Sequence, residues 1–504
     1  MKFISKEEAI ELIKDNDTLG IGNVGGIWSV PETLLDELEK HYKATNFPKN
    51  LTITTGIVPG DFTDSSFGLN HLREKGLVKG IITSFLNSSS SISNAVYNNE
   101  IEGYTLPLGV YNKLLRLAIS KDYGYVTDIG LNTLADPRQE GCQANEKSKE
   151  EYVKLIEISG ETKLLYKTFK VDICFIKASC ADIYGNISIK KDLPIGDQLL
   201  LAEAVMNNDG IVIVEVDRVV KKIKKEDILI HNSLVSYIVK SQRRKREKAR
   251  VKNAGNLTLN NKKICARRAY NELDDDIVIN LGVGIPSLVS GVIKEEKCQK
   301  NILPTIETGA IGGTPLAGKL FGAAFKPEKI YSTSNIINLY GGGYLDVAIL
   351  GLAEVDKVGN VNVSKFKGRV TGPGGFIDIV KNTKKIIFVG TFTALGLKEK
   401  FKDNNIVITN EGNEKKFKNE IGQVTFSATN AIKKNKEVLY ITERAVFKLT
   451  SKGLLLVEVA PGIDIEKDII EQMEFKPLIS DDIKLMDKAI FNIKPMYKQK
   501  DYAK

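Results

Sequence analysis

Apolar positions recur along the chain at helical spacing in some stretches and as short β-branched runs in others, and together they lay out an α/β protein. Residues 4–15 place Ile4, Ala9, Ile10, Leu12 and Ile13 on one helical face. Residues 18–26, TLGIGNVGG, predict a strand running into a glycine loop, and residues 29–42 predict a helix with Ser29 as N-cap. LTITTGI at 51–57 and the run 78–82 predict short strands, and the serines at 88–91 predict a polar loop. Further strands are expected at 211–216, 276–286 and 386–390, with a helix at 263–273. Strand, glycine loop, helix, strand is the order of an open α/β sheet, whose ligands sit at the carboxyl ends of the strands.

An internal repeat predicts how these elements are grouped. D-I-Y-G-N-I-S-I at 182–189 and D-K-V-G-N-V-N-V at 356–363 share a turn followed by an alternating strand. Each copy lies downstream of an L-G-[IV]-G loop, at 19–22 and 281–284. Two copies of one α/β unit in tandem account for both the length of 504 residues and the spacing. Residues 1–240 are the first expected unit, 241–262 a basic polar linker, and 263–504 the second unit. The first copy carries a long extra segment before its repeat block.

Composition removes several function classes. The chain has no run of eighteen apolar residues, and its N-terminus is charged and helical in pattern, so a cytoplasmic protein without membrane contact is expected. Five cysteines form no C-x-x-C pair and read as reduced thiols. Three histidines, His41, His71 and His231, stand in no metal-binding pattern, which argues against a metal site and against a Ser-His-Asp triad. The net charge of +9 comes from 72 basic against 63 acidic residues, a mixed surface that steers an anionic ligand at most. QRRKREKARVK at 242–252 lacks interleaved aromatics and reads as solvated linker, not a nucleic-acid site. Gly20, Gly22 and Gly25 fit G-x-G-x-x-G, which keeps a dinucleotide site open as a rival reading.

The candidate chemistry gathers at 303–315, LPTIETGAIGGTP, where Glu307 follows an apolar lead and precedes Gly309, Gly312 and Gly313. Little side-chain bulk then surrounds the carboxylate. The strand at 276–286 breaks upstream into Gly282 and Gly284, and VTGPGGF at 370–376 supplies Gly372, Gly374 and Gly375 downstream. A carboxylate between loops of exposed backbone N–H groups suggests acyl chemistry, with a nucleophile and donors for an oxyanion.

NLGVGIP, IETGAIGGTPLAGKLFGAAF, YLDVAILGLAEVDKVGNVNVSKF, VTGPGGFIDI, TKKIIFVGTFTA, LYITERAVFKLT and VEVAPGIDIEKDII resemble consecutive blocks of the family I CoA-transferases. They are most similar to the single-chain propionate or acetate CoA-transferases, and the likeness is almost unbroken over 262–491. The resemblance implies two related open α/β domains of the CoA-transferase/ribose-5-phosphate isomerase-like fold, with the active site between them. It places Glu307 as the nucleophile of a ping-pong transfer through a glutamyl-CoA thioester. Gly372, Gly374 and Gly375 match the loop on the CoA side, Gly282 and Gly284 the strand-end loop, and Gly309 with its neighbours is expected to present N–H groups that keep Glu307 ionised. Acyl-CoA and short-chain carboxylic acids are the implied partners, with CoA a substrate, no permanently bound cofactor, and a homo-oligomer of dimer or tetramer type.

The N-terminal half is less similar. The family usually has a glutamine after the proline of the block at 103–109, and here that position is Leu108, which has no side-chain donor. Paired glycines, lysine and asparagine usually follow the D-P-R block, where this chain has G-C-Q-A-N at 141–145. Leu108 either leaves the oxyanion short of a donor or lines an apolar acyl pocket. The alternative function is a CoA-binding relative with little turnover that serves as a regulatory or partner subunit. A sugar-phosphate-binding transcription regulator on the same fold would need a DNA-binding module, which neither end of the sequence suggests.

Overall fold

The β-branched runs of the first half form one sheet with the order Lys2–Ile4, Tyr237–Lys240, Ile211–Val220, Ile173–Asp182, Thr18–Gly22, Leu51–Ile57, Val78–Phe85 and Glu102–Thr105. Every pairing along this path is parallel, and only the short strand Ile187–Ser188 joins antiparallel. The computed structural model describes residues 2–63, 65–190, 194–242, 258–297, 300–316, 318–366 and 368–497. In the second half a ten-stranded sheet has a parallel centre, Ile302–Thr305, Ile277–Leu281, Val347–Gly351, Lys385–Val389 and Glu437–Ile441. Antiparallel strands extend this centre on both sides.

The helices in chain order are α1 (Lys6–Ile10), α2 (Glu32–Thr45), α3 (Ser90–Tyr97), α4 (Leu108–Ile119), α5 (Gln198–Asn207), α6 (Asn261–Asn271), α7 (Val289–Glu295), α8 (Thr333–Gly341), α9 (Phe376–Asn382), α10 (Ala428–Lys433) and α11 (Ile465–Asp468). None of them is long and apolar enough to cross a membrane.

The repeat is physical. The strand at Thr18–Gly22 lies between Leu51–Ile57 and Ile173–Asp182, with Ile211–Val220 beyond, and Ile277–Leu281 lies in the same way between Ile302–Thr305 and Val347–Gly351, with Lys385–Val389 beyond. Both D-x-x-G-N blocks close the same turn. Asp182 Oδ1 accepts from the N–H groups of Tyr184 and Asn186, and Asp356 Oδ1 from those of Val358 and Asn360. The asparagine amide returns a hydrogen bond to the aspartate in each, and Gly185 and Gly359 take φ of 92° and 97°, a region that disfavours a Cβ.

Several local expectations change on contact with the rest of the chain. The first helix shortens to α1, because Ser5 and Glu8 form a capping box there and residues 2–4 pair as a strand. Ser29 is not an N-cap. It is buried with φ of 53° and no partner on its hydroxyl, and the first N–H groups of α2, those of Thr33 and Leu34, bond instead to the Glu215 carboxylate from the neighbouring strand. Only Ser88 and Ser89 of the serine run are loop, since Ser89 caps α3 and Ser90 and Ser91 form its first turn. Residues 243–257, which hold most of the expected linker and of the basic run at 242–252, lie outside the described residues. The glycines at 20, 22 and 25 do not open a helix: α2 starts only at Glu32, and a Cβ at Gly20 or Gly22 would meet Leu201 or Ile176 at 2.9 Å. Their small size serves packing of the sheet, and no helix N-terminus is offered to a pyrophosphate.

Candidate active site

Glu307 stands two residues beyond the C-terminal end of Ile302–Thr305, where the chain reverses into the short strand Ala310–Ile311. The reversal needs Gly309, which takes φ of 110° and passes so close to the Tyr331 carbonyl that a Cβ would lie 2.0 Å from its oxygen. The Gly309 N–H donates to Ile306 O and the Gly312 N–H to Pro304 O, so these glycines shape the hairpin and do not supply hydrogen bonds to Glu307. The expectation that they hold the carboxylate is corrected on that ground.

The donor comes from the 370–376 loop. The Gly375 N–H, at the start of α9, gives Glu307 Oε2 a hydrogen bond of 3.0 Å. A Cβ at Gly375 would lie 2.3 Å from that oxygen, so the close approach requires glycine. Gly374 and Gly372 hold the loop in place. The Gly374 N–H donates to Ser84 O and its own carbonyl accepts from the Leu108 N–H, both at 3.0 Å, while the Gly372 N–H donates to Ser364 O. Gly372 also presses on Ser84, where a Cβ would meet the carbonyl oxygen at 2.3 Å. Gly282 spends its N–H on Ile349 O, and Gly284, with φ of 86°, has open space where a Cβ would be.

A pocket runs along Glu307 and Thr308. Val24, Gly25, Gly26, Ile57 and Phe85 come to it from the ends of strands in the first half, and Val283 from the end of Ile277–Leu281 in the second. Phe62, Ser88, Phe321 and Gly322 complete the wall. The site therefore sits at the carboxyl ends of parallel strands from both halves, where open α/β sheets place ligands.

Burial pushes the Glu307 pKa up to about 7, against the pull of the Gly375 N–H. Nearby Asp378, buried on α9, is also pushed up to about 7 by burial, opposed by the Gly109 N–H and reinforced by Glu307. Nothing in the local sequence singles out Asp378, because its role depends on a backbone group 269 residues away.

Leu108 departs from the expected acyl pocket. It is fully buried, is not part of the wall around Glu307, and packs in the core that joins the halves, with Ile57, Ile337 and Phe376. Leu108→Gln is therefore expected to lower stability by about 1–3 kcal/mol, the cost of an unpaired buried amide, without raising turnover. Chemical denaturation beside a turnover assay checks this.

A family model described as Coenzyme A transferase matches residues 3–241. The Acetate CoA-transferase YdiF of Escherichia coli O157:H7 is 40% identical over 504 residues, covering 97% of this chain and 94% of its own length. The chain belongs to the coenzyme A transferase family. The caffeate CoA-transferase of Acetobacterium woodii, 38% identical over 516 residues, spans 98% of both chains. Among solved structures, the E. coli O157:H7 acyl-CoA transferase YdiF in a thioester complex with CoA superposes with a TM-score of 0.92 at 39% identity, covering 98% of this chain and 97% of that one. This coenzyme A transferase thus moves CoA between an acyl-CoA and a carboxylic acid. The family model falls on the half whose motifs depart most, so Leu108 and the 141–145 block are variations inside the family.

Proposed function

We propose that the enzyme transfers CoA between a short-chain acyl-CoA and an acid of acetate or propionate type, by a ping-pong route through a glutamyl-CoA thioester on Glu307. The observation that carries this reading is a carboxylate beside an interdomain pocket, held by the Gly375 N–H on Oε2, its one hydrogen bond among the described residues. The other oxygen is left to attack.

Glu307 attacks the thioester carbonyl, the C–S bond breaks, and CoA leaves as thiolate, giving an acyl-glutamyl anhydride. The thiolate then attacks the glutamyl carbonyl, expelling the first acid as carboxylate and forming the enzyme thioester. A second carboxylate attacks that thioester, CoA leaves again, and its attack on the acyl carbonyl forms the new acyl-CoA and frees Glu307. A carboxylate is a weak nucleophile, so rate depends on alignment and partial desolvation of Glu307 and on N–H groups that meet the developing oxyanion. Gly375 is placed to serve the glutamyl carbonyl when it becomes tetrahedral. The apolar wall of Val24, Ile57, Phe85 and Val283 suits a short aliphatic acyl chain. Acetate and caffeate, named in the two relatives, bracket the size range to be screened.

The test is the half-reaction. Enzyme mixed with labelled propionyl-CoA and no added acid should release labelled propionate while CoA stays on the protein, as a ping-pong cycle requires. Transfer to added acid without that prior release would overturn the covalent route, and neither release nor transfer with any acid would favour the CoA-binding relative of low turnover.

A further inference from the structure

We propose that Asp378 and Asp197 are a reciprocal pair of positioning residues, each carried by one half and each holding the first turn of a helix from the other, so that together they fix the two halves around Glu307. The proposal rests on Glu307 as the nucleophile.

Helix α4 begins after Pro107, which has no side-chain group to cap it. The missing acceptor comes from the other half: Asp378 Oδ2 accepts from the Gly109 N–H at 2.9 Å. The fit is tight, since a Cβ on Gly109 would lie 2.4 Å from Asp378 Oδ1. Asp197 stands at the N-cap of α5 but makes no cap bond to it. Its buried carboxyl faces instead the backbone of Ser334, in the first turn of α8 from the second half. The adjacent chain is also joined there, by Thr333 N–H to Ile195 O at 3.2 Å. A carboxylate is favoured at a helix N-terminus by the orphan N–H groups and the dipole, and here both favourable placements exist only while the halves are docked.

The Asp378 cap bears on the nucleophile directly, and the α8 helix faced by Asp197 does so through Ile337, which would lie 3.2 Å from a Cβ on Gly375. Asp378 lies one turn beyond Gly375, whose N–H holds Glu307, and Leu108 N–H to Gly374 O ties the start of α4 to the same loop. Each aspartate keeps an Oδ1 that is buried without a partner, an unfavourable arrangement that stability alone does not require. Glu307 and Lys381 are the charged groups that act on Asp378, and the buried Tyr166 hydroxyl also feels its charge. The Tyr111 hydroxyl feels that of Asp197.

Turnover of short-chain acyl-CoA by the full-length enzyme should be compared in Asp378→Asn, Asp378→Ala and Asp197→Asn, with melting curves for each. Loss of the acceptor in Asp378→Ala should lower kcat by about tenfold or more, and Asp378→Asn, which keeps an acceptor oxygen, should recover part of this. KM should change by less than about threefold, because binding of substrate is not what the caps supply. The parent needs Glu307 ionised, so its kcat should fall as pH drops through about 7. Removing the neighbouring charge in Asp378→Asn should move that acid limb to lower pH by about half a unit or more. Asp197→Asn should lower kcat in the same sense, and it carries the test if Asp378→Ala does not fold. The proposal is overturned if folded Asp378→Asn keeps the parent kcat and acid limb, or if each activity loss equals the loss of folded enzyme. A parent that forms no covalent intermediate on Glu307, as read by mass analysis of its peptide after incubation with acyl-CoA, would instead overturn the nucleophile assignment.

Discussion

Glu307→Gln is expected to abolish transfer to within on the order of 10⁻³ of the parent rate while leaving the fold intact. The amide fills the same volume and its oxygen can still accept from the Gly375 N–H, but it cannot form the anhydride. Stability gives an independent check on the carboxyl itself. The folded pKa of Glu307 is raised from 4.5 to about 7, so the fold binds a proton that the unfolded chain has released, and stability from this group is lost as pH rises from about 4.5 to about 7. Glutamine mimics the protonated form. The variant should therefore melt no lower than the parent at pH 8, with its relative advantage shrinking toward pH 5. Turnover within tenfold of the parent would remove Glu307 from the mechanism.

Gly375→Ala should be the second most damaging change, lowering kcat by about 10²-fold, because roughly 1 Å of misplacement at a reacting group has that order of effect. The backbone at Gly375 has φ of −83°, which alanine adopts without strain, so the loss is not one of folding. The collision is local: the new methyl would lie 2.3 Å from Glu307 Oε2 and must push the carboxylate away. Gly374→Ala provides the contrast. Its φ of 54° disfavours a side chain, but the nearest atoms to a new Cβ are 3.9 Å away, Glu307 Oε1 among them. That variant should lose about 1 kcal/mol of stability and less activity than Gly375→Ala. Rates normalised to folded enzyme separate the two, and equal kcat losses would mean that contact with Glu307 is not what demands glycine at 375.

What could be read from the sequence was what depends on neighbours along the chain. The approach of a short strand, Glu307 and a run of glycines predicts a carboxylate on a tight reversal, and Gly309 bears out the reversal with its φ of 110°. The D-x-x-G-N blocks encode their own turns and so mark the tandem arrangement of sheets without any contact between the sheets. What stayed hidden depends on partners far away in sequence. Ser29 has the composition of an N-cap, yet Glu215, 182 residues beyond Thr33, takes the helix donors. Adjacency along the chain points to Gly309, Gly312 and Gly313 as the groups that hold Glu307, and only the docking of the 370–376 loop selects Gly375. The same docking buries Leu108 in the interface, and it turns Asp378 and Asp197 from ordinary helix-end residues into contacts between the halves.

The central claim is the covalent role of Glu307, and peptide mass analysis after incubation with acetyl-CoA and no added acid tests it most directly. The peptide containing Glu307 should carry a CoA-sized adduct, which borohydride reduces and added acetate discharges, and Glu307→Gln should carry none. Sustained transfer by the parent with that peptide unmodified, or with the adduct on another residue, would contradict the account.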